Sequence, residues 1–275
     1  MKIAFVGGGN MAAALIAGLA GKVTPGASIH VVDPNPAALE ALHAAHGVTT
    51  AGAIDANVVA AEVIVLAVKP QSMREALAPL APLLAGAAHT PLVLSIAAGI
   101  RIVDLSRWLG GHDAIVRCMP NTPALIGKGV TGVVAAASVT QAQRTAADQV
   151  LKAVGSTVWL DDEAKIDAVT GVSGSGPAYV FYFIEAMQQA AVELGLSAEQ
   201  GLELAKATFT GAAELAARSS EPVSVLRERV TSKGGTTYAA LTSMEHSGVK
   251  NAIVAAVKAA AERGRELGEQ MGKDA

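Results

Sequence analysis

Ile3-Ala4-Phe5-Val6-Gly7-Gly8-Gly9-Asn10-Met11-Ala12 is the stretch that decides the fold. Residues 3–6 form a short, unbroken apolar run, the mark of a strand covered on both faces. An Ala- and Leu-rich run over 11–20 follows the glycines and reads as a helix. In such a strand–turn–helix, Gly7 permits the tight turn and Gly9 lets the backbone approach a phosphate. The small Ala12 lets the helix pack close to the sheet. Gly8, Asn10 and Met11 complete the turn. Free N–H groups at the helix start favour an anion, so residues 7–11 are a candidate pyrophosphate site. Asp33 ends the next strand about twenty residues later, where a carboxylate accepts a hydrogen bond from an adenosine ribose. It can equally serve only to cap the helix that follows. Asp33-Pro34-Asn35-Pro36 contains no Arg or Lys to meet a 2′-phosphate, and Asp33 repels one, so the local chemistry leans to NADH.

Outward from this stretch, strands are expected at 3–6, 28–32, 63–68, 92–96 and 114–117. Helices are expected between them at 11–20, 36–46, 72–84 and 102–109. This βαβ alternation predicts a doubly wound parallel sheet of Rossmann type. Strands at 131–136 and 157–159 enclose a helix over 141–154. Beyond residue 162 the β signal stops, and helices are expected at 166–170, 177–194, 198–217, 223–230, 236–246 and 249–267. The fold class is therefore an α/β Rossmann-type doubly wound sheet followed by an all-α domain, divided as 1–161 and 162–275. The helix at 177–194 is apolar around most of its circumference. It must be covered on several sides, either by the other helices of its own domain or, as expected here, by a second copy of the chain.

Composition narrows the function. Of 275 residues, 51% are hydrophobic but only 3% aromatic, which predicts an aliphatic, helix-rich core. The net charge of −3 and the lack of a basic block argue against nucleic acid as a partner. Apolar stretches are interrupted by Glu62, Pro79, Pro82 or Glu185, so no membrane span is expected. Residues 3–6 already read as a strand, so no signal peptide is expected. The single cysteine, Cys118, excludes an intrachain disulfide and suits a cytoplasmic location. No His/Cys/carboxylate cluster has metal-ligand spacing, so no metal site is expected. The scattered histidines read as surface residues, and Cys118 reads as a packing residue.

Further candidates sit where strands end, because strand carboxyl ends face the ligand crevice of such sheets. Ala67-Val68-Lys69-Pro70 ends one strand, and Lys69 either approaches the cofactor or is a solvated lysine before a turn proline. Ser95-Ile96-Ala97-Ala98-Gly99 ends another, and its small residues let a nicotinamide lie against the backbone. Asn121 and Thr122 lie in a stiff loop between two prolines, as polar contacts or as a plain turn. Ser173-Gly174-Ser175-Gly176-Pro177 reads as the start of the apolar helix, with Pro177 at its first position. The last candidate is Val230-Thr231-Ser232-Lys233-Gly234-Gly235-Thr236-Thr237-Tyr238. Two glycines and two hydroxyl residues opening a helix leave backbone N–H groups free for a small carboxylate.

These residues resemble the pyrroline-5-carboxylate reductase family over nearly the whole chain. The specific part is Pro222, Leu226, Val230, Thr231, Ser232, Gly234, Gly235, Thr237, Ala240, Leu241, Met244 and Glu245. Ala67-Val68-Lys69-Pro70, Arg117-Cys118-Met119-Pro120-Asn121-Thr122-Pro123 and Ser173-Gly174-Ser175-Gly176-Pro177-Ala178-Tyr179 resemble the family as well. The resemblance implies reduction of 1-pyrroline-5-carboxylate to L-proline by NADPH or NADH, the last step of proline biosynthesis. It also implies a helical dimerisation domain and a homodimer that in some members builds a homodecamer. By this resemblance Ser232, Gly234, Gly235, Thr236 and Thr237 bind the substrate, and Thr237 hydrogen-bonds the ring nitrogen. By the same resemblance residues 7–11, Lys69 and Ala97 touch the cofactor, and Asp33, Ala67, Val68, Pro70 and Asn121, placed at strand ends, complete the candidate cofactor set. Lys233 stands where proline is common, and Asp33-Pro34 replaces a more usual polar or basic pair. Two other readings share the N-terminal pattern. A related 3-hydroxyacid dehydrogenase usually carries a catalytic lysine early in its helical domain, where only Lys165 stands. A non-catalytic dinucleotide-binding regulator would not need residues 234–237.

Overall fold

The protein is described here by a computed structural model covering residues 1–273. It divides into two compact units, Met1–Gly174 with Ala260–Ala275, and Ser175–Ala259. This division does not follow the expected boundary at 161/162.

The first unit is built on eight strands: β1 (Ile3–Val6), β2 (Ile29–Val32), β3 (Thr49–Ala51), β4 (Val63–Leu66), β5 (Leu92–Ser95), β6 (Ile115–Met119), β7 (Gly129–Ala135) and β8 (Gly155–Trp159). They form one sheet in the order β3-β2-β1-β4-β5-β6-β7-β8. The pairs from β3 to β6 are parallel, with Ile3 beside Ile29 on one side and Val63 on the other. Alternation along each strand makes the two-faced core. Ile3 and Phe5 face Leu15, Ile16 and Leu19 of α1 (Asn10–Leu19), Leu39 and Leu42 of α2 (Pro36–His46), and the helix after β7. Ala4 and Val6 face Val58 of α3 (Ala56–Val59), Met73 and Leu77 of α4 (Met73–Leu77), Leu80 of α5 (Leu80–Ala85) and Leu105 of α6 (Ile102–Trp108). β7 runs antiparallel to β6, because the connection from Met119 to Gly129 is too short for a helical crossover. The next crossover, α7 (Gln141–Lys152), restores parallel pairing of β8 with β7 and starts with a Thr140/Gln143 capping box.

Three local details depart from the sequence reading. β3 and α3 lacked a periodic apolar signal; β3 is a mostly exposed edge strand. The helix expected over 72–84 is two pieces, parted at Pro79. The chain also does not start a fresh helix at 173–177. α8 (Lys165–Val169) runs into a π-helical turn, Thr170–Gly174, and on into α9 (Gly176–Glu193). Thr170 Oγ1 donates to the Ile166 carbonyl (2.9 Å) and Ser173 Oγ to the Val169 carbonyl (3.1 Å), back-bonds that distort a helix without ending it. Ser175 is accordingly helical in backbone, so this segment offers no free helix N-terminus.

The second unit holds α9, α10 (Ala198–Arg218), α11 (Val223–Arg229), α12 (Thr236–His246) and the start of α13 (Val249–Lys273). α9 and α10 pack closely where Gly201 meets Ala191. A Cβ at Gly201 would lie 2.8 Å from that of Ala191, and the Phe183 and Phe209 rings are 6.4 Å apart. No residue of α9 is buried; Phe181 is 60% and Tyr182 72% exposed. The end of α13 belongs to the first unit through Gly264, Gly268 and Gly272. A Cβ at Gly268 would come within 2.7 Å of the Gly99 carbonyl oxygen, and Arg107 Nη2 donates to the Gly272 carbonyl (3.1 Å).

Candidate active site

The cofactor candidates gather at the carboxyl ends of β1, β2, β4 and β5. Gly7 follows β1 with φ +103°, and a Cβ there would stand 2.7 Å from the Ala67 carbonyl oxygen, so no other residue fits. Its N–H donates to the Val32 carbonyl (2.7 Å), tying the turn to β2. Gly9 is the N-cap of α1 in extended conformation, and a Cβ on it would meet nothing within 4 Å. That open space lies at a helix start with no side-chain cap and no acidic residue in its first turn. The residues therefore fit a dinucleotide pyrophosphate: the helix start is uncapped, and the space beside Gly9 is clear of protein atoms. Asn10 is exposed and Met11 half-buried in the same turn, and Ala12 is fully buried beneath it.

Asp33 does two things at once. Its Oδ2 accepts the Gly8 N–H (2.7 Å) and its Oδ1 accepts the Asn35 N–H (2.8 Å). The carboxylate is thus fixed against the glycine turn. The capping of α2 falls instead to Asn35, whose Oδ1 accepts the Ala37 N–H (3.1 Å).

Ala67 continues β4, its N–H donating to the Val6 carbonyl (2.8 Å), and Val68 is half-buried beside it. Lys69 is exposed at the start of a short 3-10 turn opened by Pro70. Ala97 is buried just past β5, and its N–H reaches Ser95 Oγ at 3.4 Å. Asn121 differs from the others. Its Oδ1 accepts the Val130 N–H (2.9 Å) and its Nδ2 donates to the Ser173 carbonyl (3.2 Å), so the buried side chain braces the first unit from within.

The substrate candidates lie in the second unit, around the start of α12. Gly235 is its N-cap, and Thr236 and Thr237 are its first two residues. Gly234 has φ +74°, and the Gly235 N–H closes a turn onto the Ser232 carbonyl (3.0 Å) even with Lys233 in place of proline. A Cβ at Gly235 would stand 2.5 Å from Ser232 Oγ, so the glycine is what lets that hydroxyl sit beside the helix end. No side chain caps α12 and no acid occupies its first turn. Ser232 and Thr236 are exposed, and Thr237 is half-buried. The arrangement offers uncapped N–H groups and three hydroxyls to a small anion.

Other groups are accounted for structurally. Cys118 is buried in β6, and burial pushes its thiol far above the ordinary range. His30 is buried rather than at the surface, with Nδ1 2.9 Å from Thr49 Oγ1, and burial lowers the pKa of His112. Among the described residues no three His, Cys, Asp or Glu could hold a metal ion. One feature escaped the sequence reading. Arg117 and Glu163 form a 2.8 Å ion pair, and the Arg117 side chain is only 5% exposed. An arginine inside the apolar run Ile115-Val116-Arg117-Cys118-Met119 was the available signal.

Residues 163–267 match the family model described as pyrroline-5-carboxylate reductase dimerisation. Residues 2–99 match the model described as NADP oxidoreductase coenzyme F420-dependent. The chain is 45% identical over 272 residues to the pyrroline-5-carboxylate reductase of Pseudomonas aeruginosa, covering 99% of this chain and 98% of that one. Among solved structures, the pyrroline-5-carboxylate reductase of Coxiella burnetii superposes with a TM-score of 0.90 at 36% identity, covering 97% of this chain and 98% of that one. A Plasmodium falciparum pyrroline carboxylate reductase with NADP bound gives a TM-score of 0.83 at 29% identity, covering 98% of each. With a helical region that matches the dimerisation model and a sheet that carries the dinucleotide turn, the chain belongs to the pyrroline-5-carboxylate reductase family.

Proposed function

We propose that the two sets of residues divide the reduction of 1-pyrroline-5-carboxylate to L-proline between them. The first unit holds the NAD(P)H, through residues 7–11, Asp33, the 67–70 segment and Ala97. Asn121 acts on this set as a brace for the neighbouring loop. The start of α12 holds the substrate, with Ser232 and residues 234–236 on the carboxylate and Thr237 at the ring nitrogen. The bound nicotinamide supplies the hydride to the C=N carbon. With the imine bound as its protonated iminium, hydride addition would leave a neutral secondary amine that keeps the proton already on nitrogen, and a hydroxyl positioned by a helix would accept a hydrogen bond from that N–H throughout. No strong base is called for. The observation that carries this reading is the uncapped start of α12 beside the Ser232 hydroxyl.

The region matched as a dimerisation domain makes the chain an oligomer, and a dimer through 162–275 is the proposed unit, with a decamer as a further assembly. Among the described residues no helix is long and apolar enough to cross a membrane. The proposed location is the cytoplasm, where the single cysteine stays reduced.

The test is direct. Purified protein is mixed with pyrroline-5-carboxylate and either NADH or NADPH, and cofactor oxidation is followed together with L-proline formation. Both cofactors should support turnover; turnover with neither overturns the reading. Asp33 fixes a negative charge beside the glycine turn, which opposes the 2′-phosphate of NADPH. Asp33→Asn removes the charge and keeps one acceptor. It should shift the kcat/KM ratio toward NADPH by about 1–2 kcal/mol, the size of one like-charge contact near a surface. An unchanged ratio would remove Asp33 from cofactor choice.

A further inference from the structure

We propose that Glu163 is a positioning residue for the nicotinamide end of the cofactor site. This rests on the reading that the Ala97 loop receives the nicotinamide. The loop leaves β5 at Ser95, turns at Gly99 with φ +81°, and enters α6 at Ile102. Within it, the Ala97 N–H reaches Ser95 Oγ at 3.4 Å. Its far end is held from outside. Glu163 Oε1 accepts the Ile102 N–H (2.8 Å), and Arg101, the N-cap of α6, makes no side-chain cap bond. The same Oε1 accepts Arg117 Nη1 (2.8 Å), and Arg117 stands next to Ser95 in the β5–β6 register. At Gly99, Gly268 of α13 is packed so closely that a Cβ on it would stand 2.7 Å from the Gly99 carbonyl oxygen. The loop is therefore clamped at Gly99 by one downstream segment and at Ile102 by another.

The ion pair is a poor choice for stability alone. Arg117 is almost wholly removed from water, and its Nε has no hydrogen-bond partner. A buried ion pair with an unsatisfied donor gains little over a well-packed apolar pair. What it does supply is direction. The guanidinium fixes one carboxylate oxygen at the point where the first N–H of α6 needs an acceptor. An apolar pair of the same volume would leave that N–H, and the loop before it, without a fixed anchor.

The experiment measures binding as well as turnover. Glu163→Ala should raise the Kd for NADH and NADPH about fivefold or more, while ADP-ribose, which lacks the nicotinamide, binds within about twofold of wild type. The KM for pyrroline-5-carboxylate should stay within the same margin. Glu163→Gln keeps an oxygen where both hydrogen bonds need it and should restore most of the nicotinamide-dependent affinity. Gly268→Ala displaces the loop at Gly99 without changing either partner of the ion pair and should repeat the Glu163→Ala pattern; it serves if Glu163→Ala does not fold. A lowered Tm with unchanged NADH and NADPH affinity overturns the proposal, as does an equal loss for ADP-ribose and the full cofactors. Ala97→Leu separates the underlying reading. If it leaves cofactor affinity intact, the loop does not receive the nicotinamide and the proposal falls with that reading. If it weakens affinity but Glu163→Ala does not, only the proposal falls.

Discussion

Thr237 is the side chain whose chemistry the structure narrows most. A threonine near a helix start is often an N-cap, but here Gly235 is the N-cap and Thr237 is the second helical residue. Its hydroxyl is thus released from capping and is half-buried beside uncapped backbone donors. Thr237→Ala should leave the Tm nearly unchanged and lower kcat/KM for pyrroline-5-carboxylate by roughly tenfold to a hundredfold, the effect of losing a transition-state hydrogen bond of about 1–3 kcal/mol. Cofactor affinity should not move. A variant with wild-type kcat/KM would remove Thr237 from the reaction.

At the scale of elements, the turn from β1 into α1 separates two kinds of glycine. Gly7 is required by the fold, with φ +103° and the Ala67 carbonyl in the space of a Cβ. Gly9 has ordinary extended geometry and open space around the missing Cβ, so the fold itself does not require it. Gly7→Ala should therefore destabilise the protein by about 1–3 kcal/mol or more through strain and clash. Gly9→Ala should leave the Tm within a degree or two of wild type, yet raise the cofactor Kd about tenfold by filling the pyrophosphate space. Parallel thermal melts and cofactor titrations check both. Equal stability losses in the two variants would mean that Gly9 is only a turn residue.

Across the whole molecule, the apolar surface of α9 asks for a partner. Phe181 and Tyr182 are 60% and 72% exposed, and α9 buries no residue within the single chain. Leaving such side chains in water forgoes about 1.5–3 kcal/mol each relative to burial. A second copy that covers this helix recovers that energy, in keeping with the match to a dimerisation model. Phe181→Glu would place a charge on the face proposed to be covered, and sedimentation should show the oligomer dissociating at concentrations about tenfold or more above wild type. An unchanged association constant would place the interface elsewhere.

The sequence by itself determined the parts governed by local rules. The short apolar runs of β1, β2, β4 and β5, the glycine turn and the Asp33 position all follow from neighbours a few residues apart. The bounds of α2 and α12 were legible for the same reason, although the cap of α2 proved to be Asn35 and not Asp33. The resemblance to the family, carried by residues 222–245, was equally a matter of spacing along the chain. Only the tertiary structure decided what depends on residues far apart. The antiparallel turn of β7 follows from a short connection between strands that pair over distance. β3 is held by its place at the sheet edge rather than by its own pattern. Asn121 became an inward brace because Val130 and Ser173 come to it in space. Arg117 and Glu163 lie 46 residues apart, and no periodicity links them. The last turns of α13 join the first unit because three glycines let its backbone approach closely, a contact that exists only once Gly99 and Gly268 are brought together. Local propensity and spacing are written along the chain, whereas burial and hydrogen-bond partners are properties of the packed whole.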